Sequence, residues 1–140
     1  MQSKAGKAVK GVRTIQPVKT RLPLPGHKVR GSQTGRPIMA LLDLLGRRGT
    51  LRILWELREK PLTFRALLDA SEGNPAQLNT RIKELRGAGL VEHGEFGYHL
   101  SRQGSSLLEV LGPLQAWSKG WETALERARG SAESRGSRSG

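Results

Sequence analysis

A chain of 140 residues that is 36% hydrophobic can build one small domain around a modest core. It has no cysteine, which excludes disulfides, thiolate metal sites and cysteine nucleophiles and suits a reducing cytoplasm. It also has neither a run of 18 apolar residues to span a membrane nor an apolar secretory segment near residue 1. The net charge of +12 is unevenly placed. Residues 1–36 hold nine Lys/Arg and no acid, 37–126 hold eleven of each sign, and 127–140 hold four Arg and one Glu. A neutral central part between basic tails points to a polyanionic partner, nucleic acid first.

In chain order, residues 1–36 mix Lys, Gly, Pro, Gln and Ser without periodicity and read as a disordered basic arm. Such an arm binds phosphate through cations such as Lys28, Arg30 and Arg36, or serves only as a solubilising tail. Pro37 opens a short helix that Gly46 stops. Thr50 caps the next, with Leu51, Ile53, Leu54 and Leu57 facing inward until Pro61 ends it. Leu62 and Phe64, around Thr63, suit a stub strand, and Thr63 also caps a helix from Phe64 to Ala70. A turn at Ser71–Gly73 leads to Asn74 as N-cap and Pro75 in the first helical position. Leu78, Ile82 and Leu85 then form one apolar stripe on a helix of about three turns. Gly87 and Gly89 stop it. Val91–His93, a turn at Gly94–Glu95, and Tyr98–Leu100 read as a very short hairpin.

Ser101 caps the last helical region, in which Leu107, Leu111, Leu114, Trp117, Trp121 and Leu125 recur at intervals of 4, 3, 3, 4 and 4. Gly112–Pro113 is expected to kink or divide it. Two tryptophans on a terminal helix need cover, from the domain's own core or from a second subunit. Leu107, Leu111, Leu114, Trp117 and Trp121 are accordingly assigned to a homodimer interface. From Arg127 the Ser/Gly/Arg composition predicts disorder. The expected architecture is mainly α with a small β-hairpin wing. It is a winged helix-turn-helix domain over 37–126, ending in a dimerisation helix and flanked by disordered basic tails at 1–36 and 127–140.

The helix at 74–88 followed at once by a hairpin reads as a recognition helix and its wing. With Leu78 inward and about 100° per residue, Ala76, Thr80, Lys83 and Glu84 face outward, with Gln77 and Arg81 on the flanks. Gln77 suits adenine, and Arg81 suits guanine or phosphate. Asn74 and Thr80 suit phosphates near the positive helix end. Glu84 reads cytosine, pairs with Lys83 or Arg81, or simply repels wrong contacts. The plain alternative is a solvated helix face. Glu92 and Glu95 disfavour phosphate contact by the wing. His93 and His99 lack a carboxylate or cysteine at ligand spacing, so no metal is expected. No nucleotide-binding, hydrolase or metalloprotease motif is present, so neither an enzyme nor a cofactor is expected.

From Leu41 to Trp117 the sequence resembles the HxlR-type winged helix-turn-helix regulators and, more distantly, the MarR group. The resemblance is carried by LLDLLGRRGTLRILWEL (41–57), PLTFRALLDA (61–70), NPAQLNTRIKELRGAGLVE (74–92) and YHLSRQGSSL (98–107), with Trp117 beyond. It implies a cytoplasmic, dimeric regulator of double-stranded DNA that pairs through helices outside the helix-turn-helix. The chain departs from the pattern in three ways. It has Gly49 where the family usually has an aromatic, no cysteine for redox sensing, and a shorter wing, which shifts minor-groove reach to the basic arm. Gly49 also raises the question of a pocket for a small-molecule effector of unknown chemistry. Three functions follow: a sequence-specific regulator, a non-specific architectural or nucleoid protein, and a winged-helix protein-docking module.

Overall fold

Turn and cap chemistry sets the element boundaries in the computed structural model, which describes residues 22–139. The elements are α1 (Pro37–Leu45), α2 (Thr50–Glu56), α3 (Phe64–Ser71), α4 (Pro75–Gly87), β1 (Val91–Gly94), β2 (Gly97–Leu100) and α5 (Arg102–Ser139). The Thr63 hydroxyl accepts from the Ala66 amide at 3.1 Å and starts α3. The Asn74 carboxamide accepts from the Gln77 amide at 2.7 Å and starts α4. The end of α4 is a Schellman turn: the Leu90 amide donates to the Leu85 carbonyl and Gly89, at φ +77°, to that of Arg86. Ser101 begins α5, accepting from the Gly104 amide while its hydroxyl donates to the Gly89 carbonyl at 2.6 Å.

The core lies between α2, α3 and α4 and is closed by α1 and β1. Ile53, Leu54, Leu67, Leu78, Ile82, Leu85 and Val91 are buried in it. β1 and β2 pair antiparallel from Val91↔Leu100 to Gly94↔Gly97. The turn therefore falls on Glu95–Phe96, one residue later than expected. Leu62 bridges Tyr98 through bonds of 2.9 and 2.8 Å, which joins the stub before α3 to the wing. The result is a mainly helical winged fold, as expected.

Several expectations are corrected. Thr50 is the first residue of α2 rather than its cap, and Gly49 takes the cap position. Leu51 is half exposed, because it lines the open cavity between α2 and α5 instead of the core. The expected division at Gly112–Pro113 does not occur, and α5 runs through Pro113. At that exposed position water can hydrate the carbonyl that proline leaves unbonded. Residues 127–139 continue the helix instead of forming a disordered tail. Ala124, Glu126, Arg127, Ala128, Arg129, Ala132, Glu133 and Arg135 are good helix formers that outweigh the intervening Ser and Gly.

Within the segment expected to be a disordered arm, residues 22–36 fold back on the domain. Val29 and Ser32 exchange backbone bonds of 3.0 Å, Gly26 donates to Gly35, and the Ser32 hydroxyl accepts from the amides of Gly35 and Arg36. Val29 is buried, and Leu22 packs against the core. Turn hydrogen bonds carry no hydrophobic period, so periodicity could not reveal them. The remainder of the arm, residues 1–21, lies outside the described residues. Among the described residues no helix is long and apolar enough to cross a membrane.

Leu67 is fully buried at the centre, so Leu67→Ala is expected to cost about 2–5 kcal/mol. Leu114→Ala, on the exposed part of α5, is expected to leave the monomer's denaturation midpoint nearly unchanged. Chemical denaturation of the two variants checks the placement of the core.

Candidate nucleic-acid interface

α4 buries Leu78, Ile82 and Leu85 and presents Ala76, Asn79, Thr80, Lys83 and Arg86 to solvent. Its N-terminal turn is capped by Asn74, which is therefore occupied by the Gln77 amide. The Thr80 hydroxyl donates to the Ala76 carbonyl at 3.0 Å. Asn79 and Arg86 were absent from the sequence-based set, although their offsets from Leu78 place them beside Lys83 on the outward side.

The other edge of α4 is engaged with the protein itself. Glu84, expected outward, is buried with only 8% of its side chain exposed. One carboxylate oxygen accepts from Arg47 at 2.6 Å and the other from Arg81 at 2.8 Å. Arg81 also donates through Nε to the Arg48 carbonyl at 2.8 Å, and Gln77 Nε2 donates to that same oxygen at 3.2 Å. A buried carboxylate demands such compensation. Gln77 and Arg81 thus bind the loop between α1 and α2 rather than standing free at the surface. Of the alternatives for Glu84, pairing with Arg81 is the one observed, joined by an unanticipated partner, Arg47.

This arrangement removes the one acidic group of α4 from its exposed face, leaving Lys83 and Arg86 as the charges there. It also explains Gly49. The residue has φ +92°, where a side chain is strained, and a Cβ would lie 2.9 Å from Gln77 Nε2. Gly49 therefore permits close approach of the loop to α4 and does not open a cavity.

The folded-back segment 22–36, a strap over the domain, places Lys28, Arg30 and Arg36 on the surface, and the Arg30 amide donates to Asp43 at 3.1 Å. In the wing, His93 stacks on Tyr98 with centroids 4.3 Å apart, and Phe96 stands exposed at the tip. On α5, Leu107 and Leu111 pack partly against the domain's own core. Leu114, Trp117 and Trp121 are exposed, and the two indoles stack at 6.0 Å. A cavity of about 710 Å³ opens between α2 and α5, lined by Leu51, Trp55, Leu108, Leu111 and Leu114 among others.

Helices α3 and α4, with the hairpin that follows, make up a winged helix-turn-helix domain. No family model matches the chain. It is 25% identical over 91 residues to an uncharacterised HTH-type transcriptional regulator of Methanocaldococcus jannaschii, covering 61% of this chain and 86% of that protein. It is also similar to the crystal structure of quinone-bound YodB from B. subtilis. The TM-score is 0.57 and the identity 27%, over 59% of this chain and 96% of the other. The two likenesses support a relationship to helix-turn-helix transcriptional regulators and leave about two fifths of this chain unmatched.

Glu84→Ala strands two arginines that are themselves only 20% exposed, and is expected to lower stability by about 1–3 kcal/mol. A double-mutant cycle with Arg47→Ala checks whether the loss belongs to the pair: coupling below about 0.5 kcal/mol would contradict the assignment.

Proposed function

We propose that this chain is a cytoplasmic, sequence-specific double-stranded DNA-binding regulator of the HxlR type. The observation that carries the reading is the outward face of α4, which shows Asn79, Thr80, Lys83 and Arg86 and no acid beside a short wing. Asn79 suits adenine, Lys83 and Arg86 suit guanine or phosphate, and the Ala76 and Thr80 methyls suit thymine. The relationship to helix-turn-helix regulators supports the same partner. The basic segments, residues 1–21 together with Lys28, Arg30 and Arg36, add salt-sensitive phosphate contacts.

The regulator acts as a homodimer. Val110, Leu114, Trp117, Trp121 and Leu125 form an exposed stripe along α5, continuous with the apolar cavity against α2. An apolar strip of this length on a small domain favours burial against a second copy. Pairing of this kind sets two copies of α4 about 34 Å apart, in successive major grooves. The exclusion of an enzymatic role rests on the sequence, which carries no catalytic constellation.

Competition titration near 0.15 M salt tests specificity, with DNA from upstream of the chain's own gene challenged by random duplex. The expected preference is ~10³ or more. Equal competition would favour an architectural protein, and no binding would favour a docking module. Asn79→Ala is expected to reduce the preference by about 1–3 kcal/mol at a bound site. Trp117→Ser combined with Trp121→Ser is expected to give monomers in sedimentation and to weaken site binding.

A further inference from the structure

We infer that Arg48 is a DNA-phosphate contact and that Gln77, Arg81 and Glu84 are the positioning residues that hold it beside the recognition helix. The inference deepens the DNA-binding reading and rests on it. Arg47 and Arg48 are adjacent in sequence but serve opposite ends. The Arg47 guanidinium is drawn inward to Glu84. The Arg48 side chain is exposed, and among the described residues it forms neither a hydrogen bond nor an ion pair. Its carbonyl is held twice, at 2.8 Å by Arg81 and at 3.2 Å by Gln77.

Both donors stand on the edge of α4 that borders Thr80 and Ala76, so the Arg48 backbone is tied next to the exposed face. The left-handed Gly49 that follows makes the tight approach possible. A free guanidinium fixed through its own backbone to a major-groove helix is suited to a phosphate flanking the groove. Phosphate contact of this kind positions the helix and carries no sequence information. The charged partners of Glu84 are thereby accounted for. Arg81, one of the two arginines of α4, is thereby engaged in placing a further arginine that the recognition helix does not itself supply.

The test is the salt dependence of binding to a specific site and to random duplex, measured for the full chain. Arg48→Ala is expected to weaken binding to both DNAs by the same factor. It should also reduce the slope of log K against log salt by about 0.9 for each Arg48 engaged. Over a fourfold rise in salt, that is about a three- to fourfold smaller loss of affinity per arginine. Arg48→Lys should retain the slope. Arg81→Met should reduce it as Arg48→Ala does, while leaving the preference between DNAs unchanged. An unchanged slope in Arg48→Ala, with its thermal transition matching the parent's, overturns the inference. So does a changed preference in Arg81→Met, which would make Arg81 a base reader. If the parent chain binds neither DNA, the DNA reading fails, and this inference with it.

Discussion

The Glu84 carboxylate, sunk beneath the edge of α4 and held by Arg47 and Arg81, is the constraint on which the surface of this domain depends. An ionised carboxylate taken out of water must be paired and hydrogen-bonded. Both of its oxygens accept a guanidinium here, one arginine from the α1–α2 loop and one from α4 itself. Satisfying Glu84 fixes the loop to the helix. The Arg48 carbonyl, brought into range, then accepts from Gln77 and Arg81 as well. Gly49 is part of the same arrangement, because its φ of +92° strains any residue with a Cβ, and such a Cβ would displace Gln77 Nε2 from its place. The consequence appears on the neighbouring outward face, which is left polar, positive and free of acid.

The two ends of α4 are defined as firmly as its edge. Asn74 satisfies an early amide, and the Schellman turn through Gly89 satisfies late carbonyls while Leu90 packs back on the core. Ser101 then links that turn to the start of α5 by donating to the Gly89 carbonyl. The wing is therefore bounded by one backbone turn before it and one side-chain cap after it, and its short strands gain a third neighbour at Leu62. A two-stranded hairpin of this length has little stability alone. Its order comes from what flanks it.

α5 obeys a different physics. Its first turns pack on the domain through Leu107, Leu108 and Leu111, whereas the stretch beyond Pro113 is exposed throughout its described side chains. Helical propensity alone sustains such a length only marginally in water. The stripe from Leu114 to Leu125 is a continuous run of apolar side chains that the domain's own core does not cover, which is why the homodimer proposed above is centred there.

Much of the fold was legible in the sequence because it is written locally. Asn74–Pro75, Thr63 and Ser101 announce helix starts, Gly46 and Gly89 announce ends, and Leu78, Ile82 and Leu85 name the buried face of α4. These are interactions among residues a few positions apart, so spacing suffices to find them. What spacing could not supply is the far partner. Projection about the helix axis put Gln77 and Arg81 on flanks and Glu84 outside, and nothing local says that a loop some thirty residues earlier covers that edge. Leu51 looked buried for the same reason, since periodicity does not say which side another helix occupies. The strap at 22–36 was hidden because turns have no period, and the helix at 127–139 because Ser and Gly drew attention from the intervening Ala, Glu and Arg. The sequence by itself determined where the helices begin and end and which stripe of each is apolar, since those follow from backbone hydrogen bonding and side-chain type. Only the tertiary structure decided which polar side chains remain free, because a buried carboxylate chooses its partners by proximity in space.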